Sequence, residues 1–283
     1  MEDDRLRERL LMRTAKKGSK GLDLATFRAA IDNAVDTGDF VDYRSAYEYA
    51  RGIDDVIDSV EDLLKEGHAS EVIELTEYAI EGVEDAMGSV DDSDGQMGGI
   101  LERLQEIHHA ACKKAKPDPE RLARRLFQWE LRTGYDTFYR AAGVYSDVLG
   151  EKGLAVYRKL AEAEWARVPQ LGPGKDDSDR YEGRFRITSI METLAEESGD
   201  IEALVRIKSR DLSHAYCFLQ IAEMYKQAQK YERALEWAER GVKAFPERTD
   251  SRLREFLADE YHRRKRHDCL LYTSPSPRDR QKS

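Results

Sequence analysis

Apolar residues recur along the chain at intervals of three and four. Ile53, Val56, Ile57, Val60, Leu63 and Leu64, separated by aspartate and glutamate, follow the period of a half-buried helix. Gly67 supplies the stop. Val72, Ile73, Leu75, Ala79, Ile80, Val83 and Met87 repeat the pattern, so two antiparallel helices joined by a short turn are predicted. A third helix carries Ile100, Leu101, Leu104, Ile107 and Ala111 and ends in lysines before Pro117. Asp118-Pro119-Glu120 is a helix start: Asp caps, Pro takes the first helical position and Glu sits at the positive end of the dipole. Leu122, Leu126 and Trp129 form the stripe of that helix.

Gly134 reads as a break, followed by a short aromatic-faced helix through Tyr135, Phe138, Tyr139 and Ala142. Gly150 and Gly153 bracket a further turn before a helix through Leu154, Tyr157, Ala161, Trp165 and Val168. Upstream, Leu6 to Leu11 and Phe27, Ile31 and Val35 predict two helices around the loop Lys16 to Gly21. Alternating runs of Val, Ile or Thr are missing, so the expected fold class is all-α.

The clearest linker is 171–183, with three glycines, a proline and mixed charge. It divides an array of helical hairpins over 1–170 from a second helical region over 184–268. Beyond it, Phe185 to Leu194 and Ile201 to Leu212 form a hairpin around Gly199-Asp200. Residues 269–283 break with the rest in composition and can be back-translated into the transposon end and adapter of a common sequencing library. The expectation is that this stretch is an artefact and that a disordered tail would have similar composition.

From Phe218 onward a second regularity appears. Phe218, Ile221, Ala222 and Tyr225 share one helix face; Tyr231, Ala234, Ala238 and Gly241 share the next, and Phe245-Pro246 closes the unit. Small residues stand where two helices of a hairpin approach closely. This spacing over 215–248 resembles the tetratricopeptide repeat. Leu257, Ala258 and Tyr261 restate Ile221, Ala222 and Tyr225 and begin a second, truncated unit. The resemblance implies a right-handed α-solenoid of antiparallel hairpins, repeat-like at its C-terminal end. Val90 to Gly95, Pro119 to Leu122, Gly134-Tyr135-Asp136 and Leu253 to Leu257 together are similar to an uncharacterised bacterial helical family, some members of which carry a SWIM-type zinc finger upstream. That finger requires Cys-x-Cys and Cys-x-His, which this sequence lacks, so no zinc ligand carries over.

Composition narrows the functional classes. The 283 residues carry a net charge of −10, are 36% charged and 40% hydrophobic, and have a mean hydropathy of −0.72. A surface that grips phosphate or anionic lipid over its whole extent is disfavoured. No apolar run reaches the roughly 20 residues of a membrane helix, and the acidic N-terminus lacks a signal-peptide pattern. Three cysteines form neither a disulfide framework nor a closed metal site, which suits the cytoplasm.

Individual motifs resolve to structural roles. Asp91-Asp92-Ser93-Asp94-Gly95 resembles the start of a calcium loop, but Val90 and Leu101 would then occupy the first and last ligand positions, so a capped turn is expected. His108, His109 and Cys112 lack further ligands, and His108 lies on the stripe of Leu101, Leu104 and Ala111 as a packed histidine. Paired acids such as Asp54-Asp55 and Glu196-Glu197 read as solvated faces. No cofactor, nucleophile elbow, Walker or dinucleotide motif is present. Two sets of aromatics, Tyr43, Tyr47 and Tyr49, and Trp129, Tyr135, Phe138 and Tyr139, suit either hairpin core or a peptide groove.

The expected function is a non-enzymatic scaffold that binds a protein or peptide, with Tyr225, Lys226 and Arg233 as candidate contacts. The alternative is an accessory module of a SWIM-containing protein associated with nucleic acid, through Lys113, Lys114, Arg124, Arg263, Arg264, Lys265 and Arg266.

Overall fold

A computed structural model describes residues 22–175, 183–247 and 249–266. These residues are helical throughout, without a strand; only two isolated bridges, Val41 to Val90 and Leu171 to Asp211, pair extended backbone. The predicted helix at Leu6 to Leu11 and the loop at Lys16 to Gly21 lie outside the described residues. The chain forms two compact units that divide between Tyr157 and Arg158, upstream of the 171–183 stretch.

In the N-terminal unit, α1 (Leu24–Val35), α2 (Tyr43–Glu66), α3 (Ala69–Met87) and α4 (Gln96–Ala115) pack each on the next and on the next but one. Local chemistry sets their ends. Asp23, Asp42 and Asp118 accept from backbone amides in the first turns of α1, α2 and α5 (Pro119–Arg132). Gly67 closes α2 at φ 98°, where a side chain would be strained. The acidic turn before α4 is a cap, as its sequence indicated: the Asp92 carboxylate accepts from Met97 N at 2.8 Å and Gly98 N at 3.3 Å. The core holds Val60, Leu63, Leu75, Ile80, Val83, Met97 and Leu104, all 1% exposed or less. Asp54 stands on a half-exposed face and is also paired: with Asp58 and Glu61 it receives Arg103, tying α4 to α2 at 2.6–3.0 Å.

Two sequence expectations change here. The aromatic stretch 135–140 is an irregular turn, and the short helix that follows, α6 (Ala141–Val144), begins only after it. Phe138 and Arg140 sit at φ 54° and 59°, which no helix tolerates. Gly150 does interrupt the chain, at φ 53° and ψ −168°, yet helix α7 (Ser146–Trp165) resumes through Gly153. A Cβ at Gly153 would fall 2.9 Å from the Pro119 carbonyl, so the glycine permits α7 to pass the start of α5.

The C-terminal unit contains α8 (Arg184–Ser198), α9 (Ile201–Lys208), α10 (Ala215–Gln227), α11 (Tyr231–Ala244) and α12 (Ser251–Arg263). Phe185, placed by the sequence at the head of the first hairpin, is exposed. Helix α9 ends at Lys208, short of Leu212, because Leu171 pairs with this stretch through Leu171 N to Arg210 O and Leu212 N to Leu171 O. Phe218, Ile221, Ala222, Tyr225, Ala234, Ala238, Leu253 and Leu257 share one core across α10, α11 and α12. Tyr231 departs from its expected buried face: its ring is partly exposed and lies beneath the Arg263 guanidinium at 4.4 Å.

Candidate functional site

The N-terminal unit holds a cleft of about 830 Å³ between one face of α4 and the 134–145 segment. Its lining includes Leu101, Glu102, Gln105, Glu106 and His109 from α4, Tyr135 to Tyr139 from the turn, and Val144 and Tyr145 beyond it. Leu101, Phe138 and Tyr145 are buried and form the floor, whereas Tyr139 (44% exposed) and Val144 (52%) stand at the rim. The turn thus brings together Tyr135, Phe138 and Tyr139. Trp129 backs them, its ring edge-on to Phe138 at 5.1 Å.

The turn keeps its left-handed residues because internal acceptors fix the backbone. Glu130, on α5 and 2% exposed, accepts from Arg140 N at 2.9 Å and Ala141 N at 3.2 Å, and from the Tyr157 hydroxyl. Gln105 accepts from Phe138 N through its Oε1 and donates from Nε2 to Leu101 O at 3.0 Å. Glu84 of α3 accepts from Thr133 Oγ1 at 2.6 Å, from Thr137 Oγ1 and from Trp129 Nε1 at 3.3 Å. Three carboxylate and amide side chains from three helices therefore hold one turn.

Behind the floor lies a closed polar network. His108, fully buried, places Nδ1 2.8 Å from the Tyr145 hydroxyl and Nε2 3.3 Å from Glu77. With the proton on Nε2, the ring donates to Glu77 and accepts from Tyr145, which satisfies both nitrogens. Arg125 forms an ion pair with the other Glu77 oxygen. Burial pushes the Tyr145 phenol up, with Cys112 and Glu77 adding to the effect. The Cys112 sulfur lies 3.8 Å from His108 Nδ1, and burial, with Glu77 second, raises its thiol to about 12. A histidine spent on two partners and a thiol held protonated make no nucleophile–base pair. Iodoacetamide at pH 8 is accordingly expected to leave Cys112 unmodified in the native protein and to label it once urea unfolds the unit, as read by peptide mass spectrometry. Rapid native labelling of Cys112 contradicts this environment. Among the described residues no group of three His, Cys, Asp or Glu side chains is disposed to hold a metal ion.

Beside the cleft, His109 Nε2 and Lys113 Nζ each lie 2.8 Å from Asp147. Lys113 first, then His109, hold the Asp147 carboxyl down at about 2, against an ordinary 3.8. Its folded value is depressed, so its contribution to stability is complete above 3.8 and fades as pH falls toward 2. A carboxyl-detected NMR titration is expected to place the Asp147 midpoint near 2, and Lys113→Gln to raise it. An unchanged midpoint in that variant contradicts the pairing.

The remaining sequence candidates fall elsewhere. Tyr225 is buried and donates to Glu202 at 2.7 Å; burial, then this bond, lift its phenol to about 12. Lys226 pairs with the buried Glu260 at 3.3 Å and lies over the Phe256 ring, while Arg233 is exposed and paired with Glu236 at 3.3 Å. Lys114 donates to Leu64 O at 3.1 Å, and Arg124 is exposed. Arg263 pairs with Glu260 at 2.6 Å; Arg264 contacts Glu232, Glu260 and Tyr231 O; Arg266 lies over Tyr261; Lys265 is exposed. Most of the proposed phosphate-binding cations are thus engaged with protein groups. Sequence reasoning did not single out Glu130, Glu84, Glu77 or Gln105.

The chain belongs to the DUF6880 family of unknown function, whose family profile matches residues 4–265. Comparison with curated proteins gave no match. No helix among the described residues is long and apolar enough to cross a membrane.

Proposed function

We propose that the protein is a non-enzymatic helical scaffold that binds a segment of another protein in the cleft of its N-terminal unit. One observation carries this reading: an aromatic-floored cleft of about 830 Å³ opens to solvent under exposed Tyr139 and Val144, on backbone that Glu130, Gln105 and Glu84 hold in place. Its volume lies within the roughly 300–1,000 Å³ of ligand sites. A fixed turn loses little entropy on binding, which favours affinity over induced closure. The side chains suited to chemistry, His108, Cys112 and Tyr145, are occupied with one another.

We also infer a right-handed solenoid of hairpins with a tetratricopeptide-like C-terminal unit. Its support is the packing of α10 on both α11 and α12, with Gly241 at the meeting point. Among the C-terminal candidates, the polar ends of Tyr225 and Lys226 serve internal carboxylates, so ligand contact there falls to Arg233. The nucleic-acid reading is weaker, since Lys113, Lys114, Arg263 and Arg264 already have partners.

A random-peptide display selection on the purified chain tests the scaffold. Recovered peptides are expected to bind the wild type at micromolar Kd and to lose about threefold or more in Tyr139→Ala, which removes the rim ring. Failure to recover any peptide sensitive to Tyr139→Ala overturns the reading. Binding of duplex DNA that falls steeply with salt, in place of peptide binding, does so as well.

A further inference from the structure

The cleft has a one-sided charge. Its lining contains three carboxylates, Glu102, Glu106 and Asp136, and neither lysine nor arginine. Glu102 and Glu106 stand one helical turn apart on the exposed face of α4, and neither has an ion-pair partner among the described residues. The adjoining surface of α4 treats its acids differently: Asp54, Asp58 and Glu61 of α2 converge on Arg103, and Asp147 on Lys113. These acids are neutralised by a cation, and the pair at the cleft is not. The same cleft is lined by the rings of Tyr135, Phe138, Tyr139 and Tyr145. Aromatic faces attract cations by their quadrupole, and flanking carboxylates add charge at the same point. The groups facing the cleft are these three acids, the four rings, His109 already on Asp147, Thr137 already on Glu84, and apolar or amide side chains.

Resting on the scaffold reading above, we propose that the occupant of this cleft is a basic peptide segment, with an arginine or lysine side chain laid over the Tyr139 ring and its charge received by Glu102 and Glu106. Arginine suits the position better than lysine. Its planar guanidinium stacks on a ring while its edge donates to a carboxylate, and it sheds water more readily. A neutral or acidic segment seated in the cleft would leave the two glutamates facing apolar or like-charged surface.

Fluorescence anisotropy with three labelled probes tests this: a short glycine–arginine repeat peptide, its glycine–lysine counterpart and its glycine–glutamate counterpart. Arginine is expected to bind most tightly, lysine more weakly and glutamate not measurably. The double reversal Glu102→Lys with Glu106→Lys, both at exposed positions, is expected to weaken the arginine peptide by about tenfold or more, and Tyr139→Ala by about threefold. A control pair, Glu81→Lys with Glu151→Lys, changes the net charge equally at exposed positions outside the cleft and is expected to leave affinity within about twofold once salt screens long-range attraction. Equal weakening by the control pair, or equal binding of the glutamate peptide, overturns the assignment. If display selection yields neutral or acidic peptides that Tyr139→Ala weakens, the basic-segment inference fails while the scaffold reading stands. If no peptide depends on the cleft, both fail.

Discussion

Replacing Glu130 with alanine is expected to lower the unfolding free energy of the N-terminal unit by about 3 kcal/mol. The carboxylate is 2% exposed and serves the amides of Arg140 and Ala141 and the hydroxyl of Tyr157. Alanine leaves Arg140 N and the Tyr157 hydroxyl without that acceptor, at about 1–3 kcal/mol for each group left unsatisfied, while Ala141 N keeps its bond to Phe138 O at 3.0 Å. Relief of burying a charge offsets part of this loss. Arg140, held at φ 59°, loses its constraint, so the turn relaxes and the Tyr139 rim shifts with it. Glu130→Gln keeps the shape and one acceptor oxygen, and about half the loss is expected. Urea unfolding followed through Trp129, with Trp165 and Trp237 replaced by phenylalanine, reads the effect beside the turn. Wild-type midpoints in both variants contradict the anchoring role of Glu130.

A comparable loss is expected in the C-terminal unit from a residue that contributes no side chain. At Gly241 an added Cβ would lie 2.7 Å from both Phe218 Cβ and Leu253 Cδ2. Phe218 Cβ is tied to the α10 backbone and cannot swing aside, so the helices themselves must separate. Overpacking of this kind costs about 1–3 kcal/mol for small additions and more for larger ones. Gly241→Ala gains up to about 1 kcal/mol of helix propensity, so a net loss of about 1–2 kcal/mol is expected, and Gly241→Leu loses about 3 kcal/mol or more. The signal to follow is Trp237, whose ring lies 5.9 Å from Phe218 and beneath the Arg240 guanidinium. Stabilisation by Gly241→Ala would show that the helices separate freely at this point.

These two residues mark what the sequence discloses. Gly241 was legible, because a small residue at a fixed interval from Ala234 and Ala238 signals close helix approach. The helices themselves were legible for a related reason: Ile53 to Leu64, Val72 to Met87 and Leu101 to Ala111 carry their period locally, and Asp118-Pro119 marks its own helix start. The 134–141 turn was not legible. Phe138 and Arg140 have left-handed backbone that their residue types disfavour, and the acceptors that hold it there lie on other helices, Gln105 33 residues before Phe138 and Glu130 10 before Arg140. A helix was expected because the aromatic spacing satisfies one. Glu130 did leave a trace, since it occupies the next position on the Leu122 and Leu126 stripe, where an acid has no solvent to face. Glu77, set between Ile73 and Ile80 at helical spacing, is a second case. In a chain this rich in carboxylates, an acid on an apolar stripe is more informative than acids side by side.

The cleft itself follows from the turn, so its location was no more legible than the turn was. The sequence did supply the ingredients: Tyr135, Phe138 and Tyr139 were read as core or groove, and they divide between the two, with Phe138 in the floor and Tyr139 at the rim. The C-terminal candidates came instead from a repeat pattern that cannot show which polar groups are already spent within the unit. Tyr225 on Glu202 and Lys226 on Glu260 are such cases.

The most direct test of the scaffold account is an amide NMR titration of the isotope-labelled full chain with a cleft-dependent peptide recovered from display. The account predicts saturable shifts concentrated at Leu101, Gln105 and Glu106 on α4 and at Tyr135 to Val144, reached only at about threefold higher peptide concentration in Tyr139→Ala. Shifts centred on Arg233 and its neighbours in α10 and α11, with the cleft amides unmoved, would contradict it.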